Sequence, residues 1–466
     1  MTNLVASRPT TGGGAAPPQP VSRRVLGAVG LVLLAGFAVA VARGNGVYVL
    51  GFVGFVIALL VSVSLHEGGH FWTARRYGMK ATQYFVGFGP TLWSRQRGET
   101  EWGVKAIPAG GFVKIVGMTS LEEIDPADEE RAFYRQPARQ RAVVLAAGST
   151  VHFLLAIVLV VLSSLFIGKA VELPPGVASV SQCVPATYYS TCEDPGALPA
   201  PAQAAGLQER DVVVAVGGEP VEDSLSFLRA IRASPGRPLE LTVERDGERR
   251  ELTMTPASVE RPVLGAEPIL GADGEPARDE NDQPVFPMET VGAIGMGIEF
   301  RQATERLGPV EALGHSVDTM DQIVTGIWVT FSEKLDTIAQ VYGPDRDPQG
   351  LVGLVGAGRI SGEVLASDET FAFKALGFFL LIAGLNLFVG VFNLLPLLPL
   401  DGGHLAVLFF EQARDRIRRM RGYTGPLRRV DLTKLLPVTY AVVIFFAGFT
   451  LWLLGADIVN PIRLNP

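Results

Sequence analysis

Long runs without a single charge constrain this chain more than any other feature. Residues 47–65, 142–168, 375–400 and 435–456 are each uncharged. A helix needs about 20 such residues to cross the hydrocarbon core of a bilayer. A further run, 25–42, lies near the lower limit. In lipid every backbone polar group must be satisfied within the segment, so these runs are expected to be helices. Mean hydropathy is +0.29, and only 19% of residues are charged, where soluble domains carry about 25%. The fold class expected is an α-helical multi-pass membrane protein embedded in a lipid bilayer. With a net charge of −7 and no basic face interleaved with aromatics, nucleic acid is excluded as a partner.

Residues 1–22 form a tail rich in Pro, Gly, Ser and Thr, expected to be disordered and cytoplasmic. Arg23 and Arg24 then precede the 25–42 run, which reads as an additional transmembrane helix. A cleaved signal peptide is the other reading. Basic residues collect on the cytoplasmic side of membranes. Arg23 and Arg24, Arg75 and Arg76, Arg139 and Arg141, and the basic loop at 415–421 with Arg428 and Arg429 fall on one side when the spans alternate. Residues 169–370, where acidic residues outnumber basic ones, fall on the other. The chain is thus expected in the cell membrane with this middle region extracytoplasmic. Cys183 and Cys192 both lie in it, and a disulfide is the expectation for two cysteines in an oxidising compartment, with two buried thiols as the alternative.

The chain divides accordingly. Residues 47–168 form the first part of a membrane core, in which 102–117 read as short strands around a Pro-Ala-Gly-Gly turn. Residues 176–256 read as a small α/β domain, with strands at 211–216 and 239–244 and a helix at 224–233. Residues 257–370 hold, at 262–288, a loop rich in Pro, Gly and acids and, at 315–335, apolar residues at helical spacing that predict an amphipathic helix. Residues 371–466 complete the membrane core.

Two of the five histidines form HEGGH at 66–70, at the end of the 47–65 run. On a helix, positions i and i+4 share a face, so His66 and His70 can bind one metal while Glu67 beside them can take a proton from water. The bland alternative is a pair of satisfied interfacial histidines. Ionisable groups inside an apolar span are costly and usually functional. A zinc held by two imidazoles needs a third protein ligand. Asp401, at the end of NLLPLLPLDGG (393–403), reaches the same side of the membrane at comparable depth, and Pro396 and Pro399 would bend the chain toward the metal. The alternative for Asp401 is a helix-end cap before a Gly-Gly turn. His152 reads as a core or supporting histidine, His404 as a neighbour rather than a ligand, and His315 as uninvolved.

These motifs, with FVGFGPTLW at 85–93 and GGFVK at 110–114, resemble the site-2 protease family of intramembrane zinc metallopeptidases, in particular its actinobacterial branch. The resemblance covers about residues 47–466. It implies a site-2 protease core, Zn2+ held by His66, His70 and Asp401, and Glu67 as the catalytic base. It also implies substrate contacts at Asn393 and at Gly110, Gly111 and Phe112 of a membrane-associated β-loop, and a PDZ-like domain at 176–256. The activity implied is regulated intramembrane proteolysis of single-pass membrane proteins of the anti-sigma-factor type, already trimmed outside by an upstream protease. The chain departs from the family where Ala147-Gly148-Ser149 and His152 replace the usual Ala-Gly-Pro and Asn. A non-catalytic PDZ-containing membrane adaptor is the competing expectation.

Overall fold

The computed structural model describes residues 38–39, 42–118, 124–271, 276–279, 282–332, 340–343, 346, 350–425 and 429–462. The expected tail at 1–22 and nearly all of the 25–42 run lie outside them, as do 333–335 and Arg428. Among the described residues the helices of nine or more residues are α1 (Gly46–Arg76), α2 (Ala138–Phe166), α3 (Ser224–Arg232), α4 (Pro309–Ser332), α5 (Leu354–Ala366), α6 (Phe371–Asn393), α7 (Asp401–Met420) and α8 (Leu436–Val459). Two compact units result: Met1–Gly168 with Arg306–Pro466, and Lys169–Glu305.

In the first unit α1, α2, α6 and α8 are long and apolar enough to cross a membrane. Helix α1 continues the 47–65 run through HEGGH without a break and stops where Gly78 takes a φ of +78°, with Arg75 and Arg76 facing the negative end of the helix dipole. Helices in lipid gain little from apolar burial and pack by letting backbones approach. Gly69 of α1 does so: a Cβ there would stand 2.8 Å from the Ala147 carbonyl oxygen of α2. Helix α4 is the amphipathic helix expected from 315–335. Its Met320 and Ile323 pack on Ala156 and Val160 of α2 and Ala383 and Leu387 of α6, while Trp328 stays 72% exposed.

Two expectations change here. The basic stretch 415–421 is largely helical, part of α7, rather than a loop. Its arginines are good helix formers, and no breaker intervenes before Gly422, whose φ is +84°. The Pro-Ala-Gly-Gly sequence is not a turn either. Strands β1 (Ala81–Arg97) and β2 (Thr100–Ile115) form one long bent hairpin that reverses at Gly98, and Pro108–Gly111 lie inside β2. Both strands bend so sharply that residues pair twice: Phe85 faces Phe112 on one side and Gly103 on the other, and Gly103 also faces Ser94. The hairpin is therefore a four-segment antiparallel sheet with 111–115 along one edge.

The second unit carries strands β3 (Lys169–Val180), β4 (Cys183–Val184), β5 (Leu198–Pro199), β6 (Val212–Val216), β7 (Glu219–Pro220), β8 (Leu239–Arg245), β9 (Glu248–Met254), β10 (Ala257–Pro262), β11 (Met288–Ala293) and β12 (Met296–Glu305). The main sheet runs β12-β3-β6-β8-β9. Val177, Val213, Leu241 and Val243 close over Phe227 and Ile231 of α3. The unit thus extends beyond 176–256, because β12 completes the sheet along β3. Of 262–288, read as a loop, the ends Pro262 and Met288 pair as the last residue of β10 and the first of β11, and the described residues between them form only isolated bridges. Cys183 and Cys192 are joined by a disulfide.

One buried ion pair anchors this sheet. Arg245 donates from Nε and Nη2 to Asp211 at 2.6 and 2.7 Å, and the Gln208 amide adds a third bond at 2.9 Å. Burial pushes the Asp211 carboxyl up, but the Arg245 guanidinium and the Gln208 amide outweigh it and hold it below the usual carboxylate range. A carboxyl depressed on folding stabilises the fold above its unfolded value of about 3.9, and that stabilisation is lost as pH falls through the folded value. Asp211→Ala should leave Arg245 unpaired and destabilise the unit by on the order of 3 kcal/mol. Hydrogen exchange at 212–216 in the full-length protein should be faster in the variant at pH 7. The gap should close as pH falls below about 3.9. Equal exchange at pH 7 would show that the pair does not anchor the sheet.

Candidate metal centre

Residues far apart in the chain converge at one point of the membrane unit. His66 and His70 sit one turn apart on the inner face of α1, both buried. Asp401 arrives from the other end of the core, and its route differs from the expected one. Helix α6 stops at Asn393, residues 394–400 turn, and Asp401 is the first residue of α7. It therefore begins a helix rather than ending one, and Gly402 and Gly403 are helical rather than a turn. The reason is contact: a Cβ on Gly402 would lie 2.5 Å from the Leu395 carbonyl oxygen, and one on Gly403 would lie 2.5 Å from the Leu398 amide nitrogen. Only glycines let the start of α7 fold back onto the turn that precedes it.

The three ligating atoms form a nearly equilateral triangle. His66 Nε2 lies 3.2 Å from His70 Nε2 and 3.4 Å from Asp401 Oδ2, and His70 Nε2 lies 3.2 Å from Asp401 Oδ2. For metal bonds of about 2.0–2.1 Å, the edge of a tetrahedron is about 3.3–3.4 Å. His70 Nδ1 is 2.7 Å from the Val144 carbonyl, which can only accept, so in the neutral ring the proton sits on Nδ1 and Nε2 presents a lone pair. Asp401 Oδ2 is buried and makes no hydrogen bond. Lone pairs aimed at one another across 3.2 Å in a low-dielectric setting repel unless a cation lies among them. The donor set fits zinc.

The surroundings are shaped to that triangle. A Cβ on Gly148 of α2 would stand 2.5 Å from His70 Nε2 and 2.6 Å from His66 Nε2, so only glycine leaves room for both rings. Glu67 projects beside the cluster, its Oε1 4.0 Å from His66 Nε2. The edge segment of β2 passes directly next to it: a Cβ on Gly111 would be 3.3 Å from Glu67 Cγ. Tyr84 of β1 donates a hydrogen bond to the Ser64 carbonyl, which pins the hairpin to the turn of α1 just before the histidines.

The other expected site residues are distributed more widely. Gly110 has a φ of +135°, allowing the strand to bend beside Gly111. The ring of Phe112 stacks on Phe85 at 5.6 Å and on Phe88 at 6.1 Å. Asn393 closes α6 and is not part of the triangle. His404 lies one turn beyond Asp401 and lines a cavity of about 450 Å³ with Arg141, Glu411 and Arg429. It is not in the ligand cluster, and neither is His315 on α4. His152 is in ring contact with His66 at 4.9 Å. The contacts that Val144 and Gly148 make with the imidazoles were missed in the sequence, as was the buried hydrogen bond from Asn386 Nδ2 to Ser62 Oγ. For Asn386 a signal existed, since an amide inside an uncharged run has to find a partner.

Residues 54–425 match the model of peptidase family M50. The chain belongs to this family. It is 40% identical over 432 residues to the zinc metalloprotease Rip1 of Mycobacterium tuberculosis, covering 90% of this chain and 99% of that protein. Over 427 residues it is 36% identical to Rip1 of Mycolicibacterium smegmatis, covering 89% and 98%. A putative zinc metalloprotease of Brucella suis is 30% identical over 417 residues, covering 85% and 93%.

If Gly148 is the cradle of the two imidazoles, Gly148→Ala should drive them off the metal while leaving α2 helical, since alanine is a better helix former than glycine. Zinc content of the purified full-length variant should fall well below that of the wild type, with helix content by circular dichroism unchanged. Full zinc occupancy in the variant would contradict the geometry.

Proposed function

We propose that the chain is an intramembrane zinc endopeptidase in which His66, His70 and Asp401 are the zinc ligands and Glu67 is the general base. Membership of peptidase family M50 makes it a metalloprotease. The observation that carries the residue assignment is the triangle of ligating atoms, with its edges at the spacing of a zinc tetrahedron.

Zinc, when bound, supplies Lewis acidity: it makes water a stronger acid and polarises a carbonyl. Glu67, beside the ligands yet outside the triangle, accepts the proton of the attacking water and delivers it to the leaving amine. His70 is held in the correct tautomer by Val144, and Asp401 balances the metal charge. A peptide bond within a helix is shielded by its own hydrogen bonding, so the substrate must be extended before attack. The edge of β2 at 111–115 passes beside Glu67, and among the described residues no strand pairs with its outer side. Strand addition there would lay an extended substrate across the site. Gly110, Gly111 and Phe112 act in this reading as the substrate-holding edge, and Asn393 donates a hydrogen bond to the substrate.

The substrate class in this reading is a single-pass membrane protein of the anti-sigma-factor type, already shortened on its outer side by another protease. The region 176–256 is a PDZ-like domain on the extracytoplasmic side that filters substrates by size or reads the new end. The active site opens toward the cytoplasmic side. A non-catalytic adaptor would have no use for the complete set His66, Glu67, His70 and Asp401, and all four are present.

Glu67→Gln should retain zinc and lose activity by ~10²–10⁴. Asp401→Ala should lose both zinc and activity. His404→Ala should cost no more than ~10- to 100-fold. Zinc content and cleavage of a membrane-anchored reporter, measured on each purified variant, test the set. Full zinc in Asp401→Ala together with zinc loss in His404→Ala would replace Asp401 by His404 as the third ligand.

A further inference from the structure

The two histidines of the triangle are not held alike. His70 Nδ1 is fixed by the Val144 carbonyl at 2.7 Å. His66 Nδ1 is buried and makes no hydrogen bond of normal geometry. Metal-bound imidazoles usually owe their orientation to a hydrogen bond at the second nitrogen. The orientation of His66 then rests on what packs on its ring, the Gly148 backbone among it. Of the two rings against it one is His70, edge-on at 4.8 Å, itself part of the triangle. The other is His152 of α2, tilted by 41° at 4.9 Å.

His152 is 2% exposed and is not free to turn. Its Nδ1 lies 2.8 Å from Asn386 Oδ1 of α6. The amide is oriented by its other side, where Asn386 Nδ2 donates to the Ile382 carbonyl at 2.8 Å and to Ser62 Oγ at 3.0 Å. A carbonyl can only accept, so the nitrogen faces Ile382 and the oxygen faces His152. That places the His152 proton on Nδ1. Ser62 stands four residues before His66 on the same face of α1. A closed path results, from α1 through Asn386 of α6 and His152 of α2 back to His66 of α1. Asn386 is 1% exposed. A buried polar path through otherwise apolar helices is expensive, and a simple pin between α1 and α6 would need only Asn386 and Ser62. The histidine adds a ring set against a ligand.

We propose that His152, anchored by Asn386, is a positioning residue that holds the His66 imidazole in the orientation metal binding requires. This rests on His66 being a zinc ligand. Asn386→Leu and His152→Ala should each weaken zinc binding by ~10- to 100-fold, measured by competition with a chelator on the full-length protein in detergent. Because both act through one path, the double variant should be no weaker than the weaker single variant. Activity lost at limiting zinc should return as zinc is raised. Where Asn386→Leu does not accumulate, Asn386→Ser breaks the same bond to His152 and carries the same expectation. His66→Ala separates the two levels. If it keeps zinc, the ligand assignment fails. If it releases zinc while Asn386→Leu and His152→Ala bind as the wild type does, the ligand assignment stands and the positioning role is overturned. Losses that multiply in the double variant, or activity that excess zinc does not restore, would overturn it as well.

Discussion

Three electron-pair donors aimed at one point, inside a bundle that otherwise offers only hydrocarbon, set the terms for the rest of the membrane unit. Unsolvated and without a cation, His66, His70 and Asp401 repel one another; with one among them they tie α1 to α7. The repulsion has to be opposed by the scaffold before the metal arrives. That work falls to the Val144 carbonyl on His70, to the Gly148 cradle and to the fold-back of Gly402 and Gly403 on the turn before them.

The scaffold achieves this by subtraction as much as by attraction. Missing side chains at Gly69, Gly148, Gly402 and Gly403 bring backbone to backbone or backbone to ring. The close packing that results is the form of cohesion available where apolar burial gains little over lipid. Polar ties are few and specific. Tyr84 fastens the hairpin to Ser64, and Asp457, buried near the end of α8, takes Arg346 and the Gly356 amide to secure α8 to α5. Each fixes one element of the membrane unit against another.

Much of this was legible in the sequence where the information is local. The apolar runs marked the spanning helices because charge is excluded from lipid, and HEGGH marked a pair of donors because helical spacing alone puts His66 and His70 on one face. Asp401 was found by cost and depth, but its placement at the start of α7 was not. Two prolines and two glycines announce a break, not the direction in which the chain resumes. The turn of the hairpin was misplaced to Pro108–Gly111, because a sharply bent strand uses the same residues as a turn, and only the pairing of Phe85 with both Phe112 and Gly103 separates the two. The partnership of β12 with β3 joins residues more than a hundred positions apart and leaves no local trace. Asn386 stands out as an amide in an apolar run, but nothing local names its partners, and Ser62 is hidden among its neighbours.

The first and last strands of the second unit pair with each other along their whole length, down to Glu305 opposite Lys169. The unit enters and leaves the chain at adjacent points. An unstructured segment of the same length would charge the membrane core a loop-closure entropy that grows with the logarithm of its length. Here the unit's own folding bears that cost, and the core experiences the whole insertion as a link of a few residues. Helices α2 and α4 are connected, for the purposes of assembly, as if by a hairpin. The membrane unit is thereby insulated from the length and composition of what is inserted between them, so that a domain of this kind can be enlarged or replaced without moving His66, His70 or Asp401.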